Sequence, residues 1–132
     1  LSAHPKVVAL PHLGASTSEA EENCAIMVAE NVKDYLENGN IRHSVNFPEA
    51  RLPRLDAWRI SVANANVPNM VGQISTDLAN AGLNIEDLLN KSVGDFAYTI
   101  VDVNKEPTAE LLAEIRAIDG VLTLRNLGKP VT

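Results

Sequence analysis

A histidine that could transfer a proton stands at position 12, in the motif Pro11-His12-Leu13-Gly14. An apolar run at 7–10 precedes it and a helix start near Ser16 follows it, so we expect a loop at the end of a strand. The imidazole titrates near neutral pH, which suits general acid–base chemistry. Spacing alone favours a simpler interpretation, a loop histidine that caps a turn, because the sequence shows no phosphate-binding glycine loop beside it.

Three asparagines form the second group of candidates. Asn64 and Asn66 precede a predicted helix, and Asn84 follows the same helix. An amide offers donors and an acceptor, so it can bind the carboxylate or the ammonium group of an amino acid. The helix N-terminus after Pro68 adds N–H groups that favour an anion. Each asparagine is also a good turn residue, so a ligand site and a purely local role both stay open.

Neither a metal site nor a disulfide is predicted. The possible metal ligands have no ligand-like spacing; they are His4, His12, His43 and Cys24. Cys24 cannot form an internal disulfide and is expected to be packed within a helix. One free cysteine fits a reducing, cytoplasmic setting.

Charge and composition exclude several classes of partner. The net charge of the 132 residues is −6, each half carries −3, and no basic stripe is present. Nucleic acid and anionic membranes are therefore poor partners. No apolar run is long enough to span a bilayer, and residues 1–10 do not resemble a secretion signal. A hydrophobic content of 45% is enough to fill a core.

The second part of the chain predicts six elements in a fixed order. Strands are expected at 58–63, 83–91, 96–103 and 121–127, and helices at 68–82 and 107–120, with a hairpin turn at 93–95. Trp58 is expected to be a packing anchor at the start of this domain. The order β-α-β-β-α-β is the ferredoxin-like plan of an α+β protein. Two helices are expected to cover one face of the sheet and to leave the other face available to a partner.

The first part predicts a strand followed by a long helix. A short buried strand is expected at 5–10, and a helix is expected to begin near Ser16, which has capping-box spacing with Glu19. Its apolar face holds Ala25, Val28, Val32 and Tyr35 or Leu36, and Gly39 ends it. Residues 48–57 hold two prolines among charged residues and no periodic pattern, which predicts a boundary. The division is then 1–52, a linker at 53–57, and 58–132.

Two separate sets of motifs resemble one family. The segment Leu10-Pro11-His12-Leu13-Gly14-Ala15-Ser16-Thr17 resembles the catalytic-histidine segment of NAD-dependent D-2-hydroxyacid dehydrogenases. The motif Ser44-Val45-Asn46-Phe47-Pro48 narrows the resemblance to the branch that serves L-serine biosynthesis. Three later motifs resemble the C-terminal ACT regulatory domain of that branch; they are Asn64-Ala65-Asn66-Val67-Pro68, Gly82-Leu83-Asn84-Ile85 and Ile118-Asp119-Gly120-Val121.

The resemblance implies a role for each matching residue. His12 matches the catalytic histidine, which exchanges the hydroxyl proton while hydride moves between the substrate and NAD. The loop beside the cofactor matches His12, Leu13, Gly14 and Ala15. The positions that hold an amino-acid effector, L-serine, match Asn64, Asn66 and Asn84. The ACT domain is expected to pair edge to edge with a second copy, so the chain is expected to be a homodimer or a higher homo-oligomer.

The sequence also departs from that family. The dinucleotide-binding glycines, the substrate-binding arginine and the glutamate that orients the histidine are absent, so this chain alone is expected to lack dehydrogenase activity. Asn64 stands where serine-inhibited members have a histidine, and Asn69 stands where they have a glycine. Two other hypotheses stay open. One is a free-standing ACT module that binds a small molecule, and the other is an ACT domain that only dimerises and binds no ligand.

Overall fold

The computed structural model describes residues 5–14 and 16–130. Its helices are α1 (Ser18–Asn38), α2 (Met70–Asn80) and α3 (Ala109–Ala117). Its strands are β1 (Trp58–Ala65), β2 (Ile85–Val93), β3 (Phe96–Val103) and β4 (Val121–Gly128). The chain divides into two compact units, Leu1–Glu30 and Asn31–Thr132.

The four strands form one antiparallel sheet in the order β2-β3-β1-β4. Helix α2 contacts β2, α3 contacts β4, and the two helices contact each other. This strand order and the element order β1-α2-β2-β3-α3-β4 define the ferredoxin-like plan, so the predicted α+β class is confirmed. Strands β2 and β4 are the two edges of the sheet.

Local sequence explains where the elements begin and end. Thr108 caps α3, and its hydroxyl accepts a hydrogen bond from the backbone N–H of Leu111 at 3.2 Å. Gly82 has a φ of +72° just after α2, as expected of a helix-terminating glycine. Asn69 precedes α2 with a φ of +67°, a left-handed conformation that asparagine tolerates better than most residues.

The main apolar core lies between the sheet and the pair α2 and α3. Its fully buried members take alternate positions on β1 and β3, whose intervening residues are buried on the other face of the sheet, and helical spacing on α2 and α3; they include Ile60, Val62, Ile74, Leu78, Val101, Val103, Leu111 and Ile115. Trp58 packs against this cluster from the start of β1. The predicted packing role of Trp58 is therefore confirmed.

The other face of the sheet is covered, which corrects the expectation of a bare face. Ile41, Ala50 and Leu52 are buried against Ala63 and Tyr98. Backbone hydrogen bonds join Ile41 and Ala50 in both directions, at 2.8 and 3.1 Å, and close the 41–50 segment into a loop. The prediction failed because this segment has no strand-like or helical periodicity, although its scattered apolar residues still bury.

Polar side chains also bury on that second face. Arg59 of β1 is fully buried and forms an ion pair with Asp102 of β3. Its guanidinium donates to the backbone carbonyls of Asn38, Leu52 and Pro53 as well. These bonds fasten the end of α1 and residues 52–53 to the sheet. The predicted division at 53–57 stays a prediction, but residues 31–57 pack with the sheet in one compact unit.

Three expectations for the first part of the chain are wrong. Residues 5–10 form no strand and are exposed. Thr17 rather than Ser16 caps α1, since its hydroxyl accepts from the backbone N–H of Ala20 at 3.1 Å. Cys24 is exposed rather than packed. The end of α1 was predicted correctly, since Gly39 has a φ of +72° and its N–H donates to the carbonyl of Tyr35 at 3.0 Å.

No residue of α1 is fully buried. Of its predicted apolar face, Val28, Val32 and Leu36 each expose half or more of their surface. Of the predicted face residues, Tyr35 alone packs against the buried apolar residues on the second face of the sheet, such as Ile41 and Tyr98. The hydrophobic pattern of α1 therefore marks a face that the described chain leaves largely open.

Candidate functional site

Asn66 lies just after β1 and is tied to the turn between β2 and β3. Its side-chain amide donates to the carbonyl of Gly94 at 3.0 Å, and its backbone N–H donates to the carbonyl of Asp95 at 2.9 Å. Gly94 has a φ of +55°, as a two-residue hairpin turn requires. Asn66 is exposed, and its amide oxygen makes no hydrogen bond within the described residues, so it is available to a ligand.

Asn64 lies one pleat earlier on β1 and is 1% exposed. Its side-chain N–H donates to the carbonyl of Ala65 at 2.8 Å, which fixes the orientation of the amide. The amide oxygen is buried and has no hydrogen-bond partner among the described residues. A buried hydrogen-bond acceptor without a donor destabilises the fold. We therefore expect this oxygen to accept from a group outside the described residues.

Asn84 lies at the other end of the sheet. Its backbone N–H and carbonyl pair with Asn104, at 3.0 and 3.1 Å, and its own amide makes no hydrogen bond within the described residues. Asn64 is opposite Ala97, whereas Ile85, next to Asn84, is opposite Val103. Ala97 and Val103 are six residues apart on β3, which is roughly 20 Å at about 3.3 Å per residue. One chain therefore brings Asn64 and Asn66 together but not Asn84.

The edge strand β2 connects these two places. Asn84 precedes its first residue, and the turn that Asn66 holds follows its last residue. Most of β2 is exposed, including Ile85 and Val93 at its two ends. An exposed edge strand presents unpaired backbone donors and acceptors that a second strand can use.

The segment around His12 forms no assembled catalytic site. His12 and Leu13 are exposed, and the backbone carbonyl of Leu13 accepts from the N–H of Ser16 at 3.0 Å. No hydrogen bond or ion pair joins His12 to another of the described residues. Gly14 lies in a turn with open space where a Cβ would stand, and Ala15 lies outside the described residues.

Sequence reasoning missed the residues that hold α1 to the sheet. Arg125 of β4 donates to the carbonyls of Tyr35 and Leu36, at 3.1 and 3.0 Å, and its guanidinium lies 4.6 Å from the centre of the Tyr35 ring. A cation at this position also complements the negative end of the helix dipole. A lone arginine in a strand carries no sequence signal for such a cap, because its partners are 90 residues away along the chain.

Two other kinds of site are not formed by the part of the chain that the structure describes. Within 5–14 and 16–130, no three side chains of His, Cys, Asp or Glu are grouped so that they could hold a metal ion. Among the same residues, no helix has both the length and the apolar character needed to cross a membrane.

Comparisons with known proteins identify clear relatives. No model of a known protein family matches the sequence. D-3-phosphoglycerate dehydrogenase of Haemophilus influenzae is 34% identical over 122 residues, which cover 92% of this chain and 30% of that protein. The same enzyme of Escherichia coli K12 is 30% identical over 123 residues, with the same two coverages. D-3-phosphoglycerate dehydrogenase 2 of Saccharomyces cerevisiae is 33% identical and covers 81% of this chain and 24% of its own.

Solved structures of similar fold have low sequence identity to the chain. A protein of unknown function from Galdieria sulphuraria aligns with 58% of this chain and 46% of its own, at 20% identity and a TM-score of 0.50. The ACT domain of GTP pyrophosphokinase from Chlorobium tepidum aligns with 53% of this chain and 95% of its own, at 18% identity and a TM-score of 0.47. Such likeness concerns the fold alone.

Fold and sequence together define the class of the chain. It is an α+β protein built on a ferredoxin-like domain, with a long helix before it. It is homologous to the C-terminal part of D-3-phosphoglycerate dehydrogenases over 92% of its length, which confirms the resemblance drawn from the motifs. The chain spans 30% of the length of the bacterial relatives, which are dehydrogenases by name.

Proposed function

We propose that the chain is the C-terminal regulatory part of an NAD-dependent D-3-phosphoglycerate dehydrogenase. Residues 58–132 act as an ACT domain that binds an amino-acid effector, L-serine, at the interface of a homodimer. The parent enzyme oxidises 3-phosphoglycerate at the entry to L-serine biosynthesis in the cytoplasm. Homology over 92% of the chain supports the parent reaction. The distribution of the three asparagines about β2 is the observation that carries the binding role.

The dimer follows from the two ends of β2. If two β2 edges pair antiparallel about a two-fold axis, the start of each strand lies beside the end of the other. Asn84 of one chain then lies near the turn of the second chain that Asn66 holds. Two equivalent sites result, each with amides from both chains. An amino acid between them meets donors for its carboxylate and acceptors for its ammonium group.

Asn64 supplies the inner wall of this site. Its amide oxygen is buried without a hydrogen-bond partner among the described residues, and its side-chain nitrogen donates to the carbonyl of Ala65. The group that it receives is therefore a donor, such as the effector's ammonium or a water bound to it. A small shift of the surrounding chain is required, because the oxygen is closed to solvent in the single chain. Asn66 and Asn84, both exposed, need no such shift.

The residues present do not form an NAD site by themselves. His12, Leu13 and Gly14 lie on an exposed segment, and no carboxylate among the described residues orients the imidazole. A dinucleotide is held by a glycine-rich turn at a helix N-terminus, and the sequence contains no such motif. We therefore propose that His12, Leu13, Gly14 and Ala15 contribute to an active site that is completed by other parts of the parent enzyme.

Calorimetric titration of the 132-residue chain with L-serine tests the binding role. We expect saturable heat, a dimer by sedimentation, and at least a tenfold loss of affinity in Asn66→Ala, which corresponds to about 1.4 kcal/mol. Asn126→Ala is the matched control, because Asn126 lies on β4 at the opposite edge of the sheet. A dimer without serine heat would favour the ligand-free dimerisation domain instead.

Mixing two variants tests the shared site. Asn66→Ala and Asn84→Ala each disable both sites of their own homodimer if every site uses one residue from each chain. A mixed dimer then contains one site that is intact and one that lacks both amides. Serine binding should return on mixing with half the stoichiometry per mixed dimer. If binding is not restored although mixed dimers form, the two residues do not share a site.

A further inference from the structure

A separate cavity lies on the sheet face opposite α2 and α3. It has a volume of about 370 Å³, within the range of sites for small molecules. Its walls come from the last turns of α1, the 40–47 segment and three strands; they are formed by Val32, Tyr35, Ile41, Phe47, Ala63, Tyr98 and Thr123, with Asn31, Asn40, Arg42 and Ser44 at polar positions. The asparagines of the proposed serine site do not line it.

The interior of this cavity offers aromatic and apolar surface. Phe47 meets Tyr98 edge to face, with ring centres 6.3 Å apart, and Tyr35 forms another part of the wall. The hydroxyl of Tyr98 donates to the carbonyl of Gly39 at 2.7 Å and is not free for a ligand. Burial raises the pKa of Tyr98 to about 12, so the ring stays uncharged. The interior therefore suits an aromatic ring.

The polar side of the cavity carries a cation with unused donors. The Nε of Arg42 lies 3.1 Å from Oδ2 of Asp34. The other oxygen of Asp34 accepts from Asn38 and Asn40, both at 2.9 Å, so this carboxylate is shared among several donors. The terminal amino groups of Arg42 make no hydrogen bond within the described residues. Their planar fork suits a second carboxylate.

Other polar groups at this side are already engaged. Asn40 donates to Asp34 and accepts from the backbone N–H of Leu52 at 3.0 Å. Ser44 donates to Asn46 and accepts from the backbone N–H of Phe47, both at 3.1 Å. The amide nitrogen of Asn31 lies 3.2 Å from Nδ1 of His43. Arg42 is the charged side chain among the described residues that line the cavity, and it therefore defines the charge that a ligand must carry.

We propose that this cavity is a second ligand site, which binds a small aromatic carboxylate. The ring packs among Tyr35, Phe47 and Tyr98, and the carboxylate pairs with Arg42. Such a ligand touches the last turns of α1, the 40–47 segment and the sheet at once. It therefore links three parts of the chain that otherwise meet around an open space.

Titration of the 132-residue chain with 3-phenylpropionate, followed by amide NMR shifts, tests this site. We expect saturable shifts at Ala63, Tyr98 and Thr123, with a Kd of about 1 mM or below, as suits a ligand of this size. Arg42→Gln should weaken binding at least fivefold. The neutral analogue 3-phenyl-1-propanol should bind more weakly and be insensitive to that substitution. Thr123→Phe, which fills the cavity from an exposed strand position, should abolish binding of both compounds.

Two control variants test whether binding depends on this cavity and its cation. Arg51→Gln removes an exposed arginine that pairs with Glu49 and does not line the cavity, so it should leave the affinity unchanged. Asn66→Ala should also leave it unchanged, because Asn66 belongs to the proposed serine site. Absence of saturable shifts at the three cavity residues would overturn the proposal. Equal binding to the parent chain and to both cavity variants would do the same.

Discussion

Arg59 and Asp102 form a two-pronged ion pair inside the protein. The Nε of Arg59 lies 2.6 Å from Oδ1 of Asp102, and its Nη2 lies 2.7 Å from Oδ2. The two residues are directly opposite each other on β1 and β3, and both are closed to solvent. The three backbone carbonyls that Arg59 also reaches complete the set of partners for its five N–H groups. The buried positive charge of Arg59 and the buried negative charge of Asp102 therefore neutralise each other.

Removing Arg59 should destabilise the chain strongly. Arg59→Ala leaves the carboxylate of Asp102 buried without its cation, and we expect a loss of about 3–5 kcal/mol in the free energy of unfolding. Urea denaturation followed by circular dichroism measures it. Arg51→Ala is the control, since its ion pair with Glu49 is exposed, and it should cost less than about 1 kcal/mol. Similar costs for the two variants would refute this account.

A paired substitution separates the cost of leaving Asp102 unpaired from the other costs of losing the Arg59 side chain. Arg59→Met combined with Asp102→Leu removes both charges and keeps apolar volume, so it should be more stable than Arg59→Ala by about 1–3 kcal/mol. The carbonyls of Leu52 and Pro53 still lose their donors, so the double variant should remain less stable than the unsubstituted chain. Greater instability of the double variant than of Arg59→Ala would contradict the idea that the unpaired carboxylate of Asp102 is the main cost of losing Arg59.

Alkaline pH should weaken the fold through Tyr98. Burial raises the pKa of this residue from 10.0 to about 12, because the phenolate would be cut off from water. The folded chain holds the proton more tightly, so this part of the stability is full below pH 10 and is lost towards pH 12. Urea denaturation across this interval should show a fall that Tyr98→Phe lacks. Equal slopes in both proteins would contradict the assignment.

Two glycines with the same backbone angle should respond differently to alanine. Gly39 and Gly82 both have a φ of +72°, where a Cβ costs about 1 kcal/mol. A Cβ at Gly82 meets nothing within 4 Å, whereas one at Gly39 lies 2.7 Å from Cδ1 of Leu127. Gly39→Ala should therefore lower the free energy of unfolding by more than Gly82→Ala does. Chemical denaturation of both variants checks the order, which a reversed ranking would disprove.

Asn69 and Gly72 should be energetically coupled. A Cβ at Gly72 would lie against the side-chain oxygen of Asn69, inside van der Waals contact. Gly72→Ala alone should therefore bring little gain, although alanine is normally the better helix former by about 1 kcal/mol. In the Asn69→Gly background the space is open, and the same change should stabilise α2 by about that amount. Additive effects in the double-mutant cycle would exclude the coupling.

The ferredoxin-like part was predictable because its signals are local. Helix and turn boundaries are marked by proline and glycine, at Pro68, Gly82 and Gly94. The apolar residues between them follow helical or strand periodicity. The strand at 5–10 failed for the opposite reason. Its apolar residues are consistent with a buried strand, but a strand needs neighbours, and none of the described residues pairs with it.

The sequence predicts which residues form the candidate site, but it does not predict how the fold arranges them. Asn64, Asn66 and Asn84 flank one helix in the sequence, which favours a single cluster. In the structure, strand length sets Asn84 at the far end of the sheet from Asn64. The burial of Arg59 was equally hidden, since its partners Asp102 and Asn38 are distant in the sequence and lie on different elements.

The covered second face of the sheet determines how this ferredoxin-like unit can be transplanted to another protein. A graft that began at Trp58 would strip away Ile41, Ala50 and Leu52 and leave their side of the sheet open to aggregation. It would also deprive Arg59 of its carbonyl acceptors. The smallest portable module therefore begins in the last turns of α1. A fusion that joins this sheet to another protein must therefore include the segment between α1 and β1, which covers the second face of the sheet.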